Sequence, residues 1–164
     1  MATPQYKIIT MNQNGFFSYD GRLYQSEIVR ACIRPQVTAI GKLVAKHVRE
    51  TITPEGKDIA VNPDPYMRFL LEEPNPYMTG QDMQEKLATQ LILNGNAFAL
   101  IVKDENGLPA QLYPVPCNAA KAITTGNRLE IEFALKNGKI VRFGYDELIH
   151  IKQDYGEDYL FGTS

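Results

Sequence analysis

The run LILNGNAFALIVKDENGLPAQLYPVP, Leu91 to Pro116, changes its apolar period, and that change decides the fold. Up to Asn94 the residues Met83, Leu87, Ala88, Leu91 and Ile92 recur at steps of three and four, the spacing of one helix face. Asn94-Gly95 supplies a left-handed C-terminal cap. Beyond Gly95 the segment NAFALIVK reads as a strand, with a period of two. DENG, Asp104 to Gly107, turns it back, and PAQLYPVP returns with prolines that confine it to a sheet edge or a strand end. A helix is therefore joined directly to a hairpin.

The same reading extends outward in both directions. RLEIEFALKNGKIVRFG is a second hairpin: Leu129, Ile131, Phe133 and Leu135 face one way, Glu130 and Glu132 the other, and Asn137-Gly138 is expected as a two-residue turn. DELIHIK, Asp146 to Lys152, reads as one more strand. Toward the N-terminus, Ser26 is an N-cap and Val29, Ile33, Val37, Ile40 and Val44 mark a helix running to about Val48. Pro35 removes the bond to the carbonyl of Ala31, so a kink or break is expected there, and Gly41 weakens the middle. After a turn at TPEGKD, IAV is a short strand. Asp64 then caps a helix with Pro65 at its first position, and Thr79 with Asp82 forms a capping box for the helix that ends at Asn94. Helices first and hairpins afterwards give an α+β fold, with N-terminal helices packed on an antiparallel sheet of hairpins. Residues 1–25 are expected to be an irregular arm and residues 26–164 the α+β domain.

The 164 residues suffice for one core. A hydrophobic content of 44% and a charged content of 22% are those of an ordinary soluble globular protein. Lys and Arg number 17 against 19 Asp and Glu, for a net charge of -2, and no run of cations occurs. Tight electrostatic binding of duplex DNA by these residues alone is not expected. Cys32 and Cys117 show no metal-type spacing, which fits a reduced, cytosolic setting. No apolar run is long enough to span a membrane, and MATPQYKIITMNQNG is too polar for a signal peptide.

No phosphate-loop, dinucleotide, zinc-protease, nucleophile-elbow or calcium-loop pattern occurs. The strongest chemical constellation is Asp146, Glu147, His150 and Asp154, a histidine among carboxylates able in principle to hold a metal or act as a general base. Its structural alternative is that Asp146, Leu148, His150 and Lys152 form the polar face of a half-buried strand, with Glu147, Ile149 and Ile151 on the other side. His47, beside Lys46 and Arg49, is expected to offset the negative end of the first helix. Phe16, Phe17, Tyr19 and Tyr24 suit anchoring of the arm on a neighbouring surface better than stacking on bases. The end QDYGEDYLFGTS reads as a solvated tail or as a loop held by another part of an assembly. No residue is assigned as catalytic, cofactor-binding or metal-ligating, and no cofactor is expected. Two rival readings remain: a small hydrolase using His150 with Asp146 or Asp154, and a partner-binding adaptor domain acting through the aromatic arm.

NPYMTGQDMQEKLATQLILNGNAFALIVKDENGLPAQLYPVP, Asn75 to Pro116, resembles tailed-bacteriophage portal proteins, with their Asn-Pro-x-Met-Thr helix start, Gly-Asn-Ala-Tyr/Phe passage into a hairpin and Leu-Tyr-Pro-Leu segment. IVRACIRPQVTAIGKL is similar to that family's first helix, DELIHIK to its Asp-x-x-x-His-x-Lys strand, and FGTS to the start of its Gly-x-Ser-Pro step. The resemblance covers Ile28 to Ser164 and implies the N-terminal wing of a portal subunit, before stem and clip. It further implies a non-enzymatic ring of identical subunits, usually a dodecamer, at one capsid vertex. DNA would pass through the ring without sequence-specific binding, and terminase, capsid and head-tail connector proteins would dock on it. It would be assembled in the host cytoplasm and carried in the virion.

Overall fold

The computed structural model describes residues 6–8, 26–115, 117–135, 137–154 and 160–162. Among these, the order is β1 (Tyr6–Ile8), α1 (Glu27–Gly41), β2 (Val48–Thr53), β3 (Gly56–Val61), α2 (Pro65–Glu72), α3 (Gly80–Asn94), β4 (Asn96–Lys103), β5 (Pro109–Pro114), β6 (Cys117–Thr125), β7 (Arg128–Leu135), β8 (Ile140–Gly144), a short 3₁₀ turn (Tyr145–Glu147) and β9 (Leu148–Lys152). All strand pairs are antiparallel, in sheets ordered β1-β6-β7-β8, β2-β3 and β5-β4-β9. The α+β class expected from the sequence is what the chain adopts.

The main core lies between the three- and four-stranded sheets. Phe98 of β4, Leu148 of β9, Ala120 and Ala122 of β6, and Ile131 and Phe133 of β7 share it with Val115 and Phe161. The inward side of β7 is the one its alternation indicates. Glu132, on the opposite face, pairs with Arg142 of β8 at 2.8 Å. Since Phe98 points into this core, the pleat sends Ala97 and Ala99 to the other side of β4. Both are fully buried, and α3 packs there. Alanines let the helix axis approach the sheet closely. On its far side α3 offers Ala88, Ile92 and Leu93 to Val29, Ile33 and Val37 of α1. The body is thus four layers deep: α1, α3, the three-stranded sheet and the four-stranded sheet.

The expected caps are in place. Asp64 accepts the Tyr66 N–H at 2.9 Å with Pro65 at the first helical position. Thr79 and Asp82 cap each other's backbone, and the Thr79 N–H and hydroxyl hold the Asp82 carboxyl below its usual range. Gly95 takes a left-handed φ of 64°, which ends α3 and starts β4 in one step.

Other expectations are corrected. Helix α1 continues through Pro35, because Pro35 and Ala31 both face solvent, where water can serve the freed carbonyl. It stops at Gly41, not near Val48, and Val44 is exposed. The β-branched Val48, Thr51, Ile52 and Thr53 that follow favour a strand, and with β3 they form a hairpin. His47 therefore sits at a hairpin base and not at a helix end. Its N–H donates to Asn62 Oδ1 at 3.0 Å, and its carbonyl accepts the Asn62 N–H at 2.6 Å. The two Asn-Gly turns form where expected, but with left-handed φ only at Gly107 and Gly138, not at the asparagines. Gly138 N–H bonds Leu135 O and Leu135 N–H bonds Lys139 O, so the second turn is wider than two residues. Strand β6 and the three-residue β1, within the stretch read as an irregular arm, were not legible in the period. Phe16, Phe17, Tyr19 and Tyr24 lie outside the described residues.

Phe98 is 1% exposed and stands at the centre of the core, with Phe133 edge-on at 5.0 Å. Phe98→Ala should therefore cost about 3–5 kcal/mol, seen as a lower denaturant midpoint with an unchanged slope. A cost under about 1 kcal/mol would place the core elsewhere.

Candidate functional site

The chemically distinctive part of the molecule is where α3 is welded to β4, around the buried Asn96 and the half-buried His150. Asn96 is 4% exposed and opens β4. A carboxamide in that position is costly unless each of its groups finds a partner. Its Oδ1 accepts the Gly162 N–H at 2.8 Å, while its Nδ2 donates to the carbonyls of Gly162 at 2.9 Å and Asn94 at 3.1 Å. The side chain thus pairs with Gly162 as a strand backbone would.

This two-way bond fixes which end of the amide is oxygen, and so fixes the tautomer of His150. His150 Nε2 lies 3.0 Å from Asn96 Oδ1, an acceptor, so Nε2 carries the proton. Nδ1 then accepts from the Tyr145 hydroxyl at 3.2 Å. The ring stacks on Phe98 at 4.3 Å between centroids and lies 5.7 Å from Phe161. Burial, with a smaller contribution from Lys152, lowers its pKa to about 4. His150 is held neutral with both nitrogens engaged.

The terminal segment closes the site. Phe161 is 7% exposed, and Lys152 Nζ reaches the Leu160 carbonyl at 3.5 Å. Gly162 passes so close to Gly95 and Gln153 that a Cβ would lie 2.4 Å from Gly95 O and 2.3 Å from Gln153 O. Only glycine fits. Residues 160–162 are therefore part of the domain's interior, unlike the solvated tail considered from sequence.

The constellation of Asp146, Glu147, His150 and Asp154 does not assemble. Arg128 pairs with Asp146 at 3.4 Å and with Glu147 at 3.5 Å, and Glu147 also accepts the Gly144 N–H at 2.8 Å. Asp154 lies exposed beyond β9. The strand begins at Leu148, and its inner face carries Leu148 and His150 while Ile149 and Ile151 face outward, 36% and 38% exposed. His150 is thus on the buried face, not a polar outer one, because Asn96 and Tyr145 satisfy it there. Among the described residues no three His, Cys, Asp or Glu side chains gather as a metal site. Nor is any helix there long and apolar enough to cross a membrane.

A second buried asparagine does related work at the β5 edge of the same sheet. Asn75, 5% exposed, donates to Leu112 O at 2.7 Å and accepts the Tyr77 N–H at 3.0 Å, while Leu112 N–H bonds Pro74 O at 2.7 Å. Sequence reasoning missed Asn75, Asn96, Phe161 and Gly162 as a group. The available signal was Asn96 itself, a polar residue opening an otherwise apolar strand.

What this arrangement can do is hold geometry: it offers no free nucleophile and no open histidine. Comparisons with known proteins give the family of the chain as a whole. Residues 27–164 match the profile of the phage portal protein family. The chain is 26% identical over 145 residues to the portal protein of Enterobacteria phage HK97, covering 88% of this chain and 34% of that protein. It is 31% identical over 70 residues to an uncharacterised protein of Rickettsia conorii, covering 43% of this chain and 94% of that one. In fold it is similar to a chain in the neck of an empty gene transfer agent particle, with a TM-score of 0.65 and 18% identity over 92% of this chain and 38% of that one. A chain of the native particle's neck, resolved with twelvefold symmetry, gives a TM-score of 0.64 and 19% identity over 87% of this chain and 36% of that one. This chain spans about a third of the length of the HK97 relative.

The pKa of His150 has a consequence for stability. The unfolded chain takes up a proton at its histidine near pH 6.5, whereas the folded one resists until about pH 4. Stability should therefore be flat in this respect above pH 6.5 and fall as pH drops from 6.5 toward 4. His150→Gln should lose that part of the slope in urea titrations across the window. An identical slope in both proteins would mean that His150 is not held neutral.

Proposed function

That the chain belongs to the phage portal protein family is the premise from which we propose its function: residues 26–164 form the wing of a portal subunit, and residues 1–25 an arm. The subunit is one of a ring of identical copies, twelve in the complete assembly, around a channel at one capsid vertex. DNA passes through that channel into the capsid during packaging and out at infection, without sequence-specific binding. Terminase, capsid and head-tail connector proteins dock on the ring. The ring is built in the host cytoplasm and carried in the virion.

The observation that carries this reading is the match to the family over residues 27–164, nearly the whole α+β domain. The physics supports it. A wing must be a rigid body, and here the α3–β4 weld and the last described residues, 160–162, are tied by one buried amide. No catalysis is proposed for the subunit, since the half-buried His150 is neutral and engaged on both sides. The net charge of -2 with no cation run suits a body that DNA slides past, because clustered cations would trap it.

The complete gene product should appear in electron micrographs as closed rings with a central channel. A gene product that stays monomeric at micromolar concentration would contradict the proposal. Residues 1–164 by themselves should instead scatter light as a monomer or a weak, concentration-dependent oligomer. A durable interface needs upward of about 1,000 Å², and this domain spends most of its apolar residues on its own interior. A discrete ring from residues 1–164 alone would show that the wing carries the assembly contacts.

A further inference from the structure

Among the described residues the dipeptide Asn-Gly occurs at Asn94-Gly95, Asn106-Gly107 and Asn137-Gly138, and the fold treats the three differently. Asparagine before glycine is open to attack by its own backbone, because the glycine nitrogen, with no Cβ beside it, can reach the carboxamide carbon. In that reaction the bond from glycine N to asparagine Cγ forms and the Cγ–Nδ2 bond breaks. Ammonia leaves with the proton of the glycine N–H. Water then opens the succinimide at either carbonyl, giving aspartate or isoaspartate. The sum is one amide and one water going to one carboxylic acid and one ammonia, with no change of oxidation state. Negative charge develops on the glycine nitrogen and on Oδ1, so nearby cations and an N–H aimed at Oδ1 speed the reaction while carboxylates slow it.

Asn94 is locked out of this chemistry. It is the last residue of α3, and its Gly95 is buried, donates to Leu91 O at 2.8 Å and accepts the Gln153 N–H at 2.9 Å. Bringing Gly95 N onto the Asn94 side chain would break the weld. Asn106 and Asn137 are both exposed at hairpin tips, and their glycine N–H groups are held alike, each at 3.0 Å, by Asp104 O and Leu135 O. Their surroundings differ. The Asp104 carboxylate lies inside the first turn, accepting the Asn106 N–H at 2.9 Å and the Leu108 N–H at 2.8 Å, and Glu105 adds a second negative charge. No N–H meets Asn106 Oδ1 among the described residues. In the second turn Asn137 Oδ1 accepts the Lys139 N–H at 3.0 Å, a donor placed on the oxygen where charge develops. Lys136 and Lys139 flank this asparagine in sequence.

We propose that Asn137 is a site of spontaneous covalent modification, converting through the succinimide to aspartate and isoaspartate ahead of Asn106, while the fold preserves Asn94. The product puts one negative charge at the β7–β8 turn and, as isoaspartate, one added carbon in its backbone.

The test incubates the complete gene product in mildly alkaline buffer enriched in heavy oxygen and maps peptides by mass spectrometry over time. Electron-transfer fragmentation separates isoaspartate from aspartate. Asn137 should convert first, with heavy oxygen in the product and roughly fivefold faster than Asn106, the effect of a unit charge close by in water. Asn94 should stay intact in the folded protein and convert once the chain is held unfolded in guanidinium chloride. Lys136→Glu together with Lys139→Glu, at a turn that leaves circular dichroism unchanged, should slow Asn137 by a similar factor. Faster conversion at Asn106 or Asn94 in the folded protein would overturn the proposal. So would a rate at Asn137 indifferent to the charge reversal, or an Asn137 that stays intact in the folded protein while the unfolded chain converts.

Discussion

A carboxamide buried at the junction of a helix and a strand must satisfy an oxygen and two N–H groups without water, and Asn96 does so by organising everything around it. Its amide takes one partner from the end of α3 (Asn94 O), two from the chain's later return (Gly162 N–H and O) and one from the strand beside it (His150). Each bond is worth about 1 kcal/mol net, but an orphaned buried group costs about 1–3 kcal/mol. The penalty for breaking the set therefore exceeds the gain from making it. This is what forces residues 160–162 into the interior, with Phe161 in the core and a glycine where no side chain fits.

The consequence is a body whose parts cannot move separately at modest cost. Helix α3 is locked to β4 through Gly95 and through Gln90, whose side chain reaches both Val115 O at 3.0 Å and Phe98 N at 3.4 Å. Asn75 ties the loop before α3 to the outer edge of β5. Such a body presents its surface elements in a fixed relation to one another.

Much of this was legible in the sequence. Turn and cap chemistry is local, so Asp64-Pro65, Thr79 with Asp82, and Asn94-Gly95 were each readable from a few residues, as was the alternation of β7. The α1 boundary was not, because the apolar spacing of Val44 continues the helical pattern by chance while nothing is there to cover it. Strand β6, CNAAKAITT, has too little alternation to declare itself and is held by its pairing with β7. The His150 constellation misled for a different reason. Proximity along the chain puts carboxylates near the histidine, but the pleat turns its ring inward, and its partners Asn96 and Phe161 lie 54 residues before it and 11 residues after it. Long-range satisfaction of this kind leaves no local trace.

The central claim is that the Asn96 amide makes residues 160–162 integral to the domain, and amide hydrogen exchange at Gly162 tests it most directly. Its N–H is held by Asn96 Oδ1 at 2.8 Å and lies against the β4–β9 backbone. Protection of that amide should match the core amides of β4, and Asn96→Ala should abolish it while β7 stays protected. Exchange at the rate of an open chain in the unmodified protein would contradict the account.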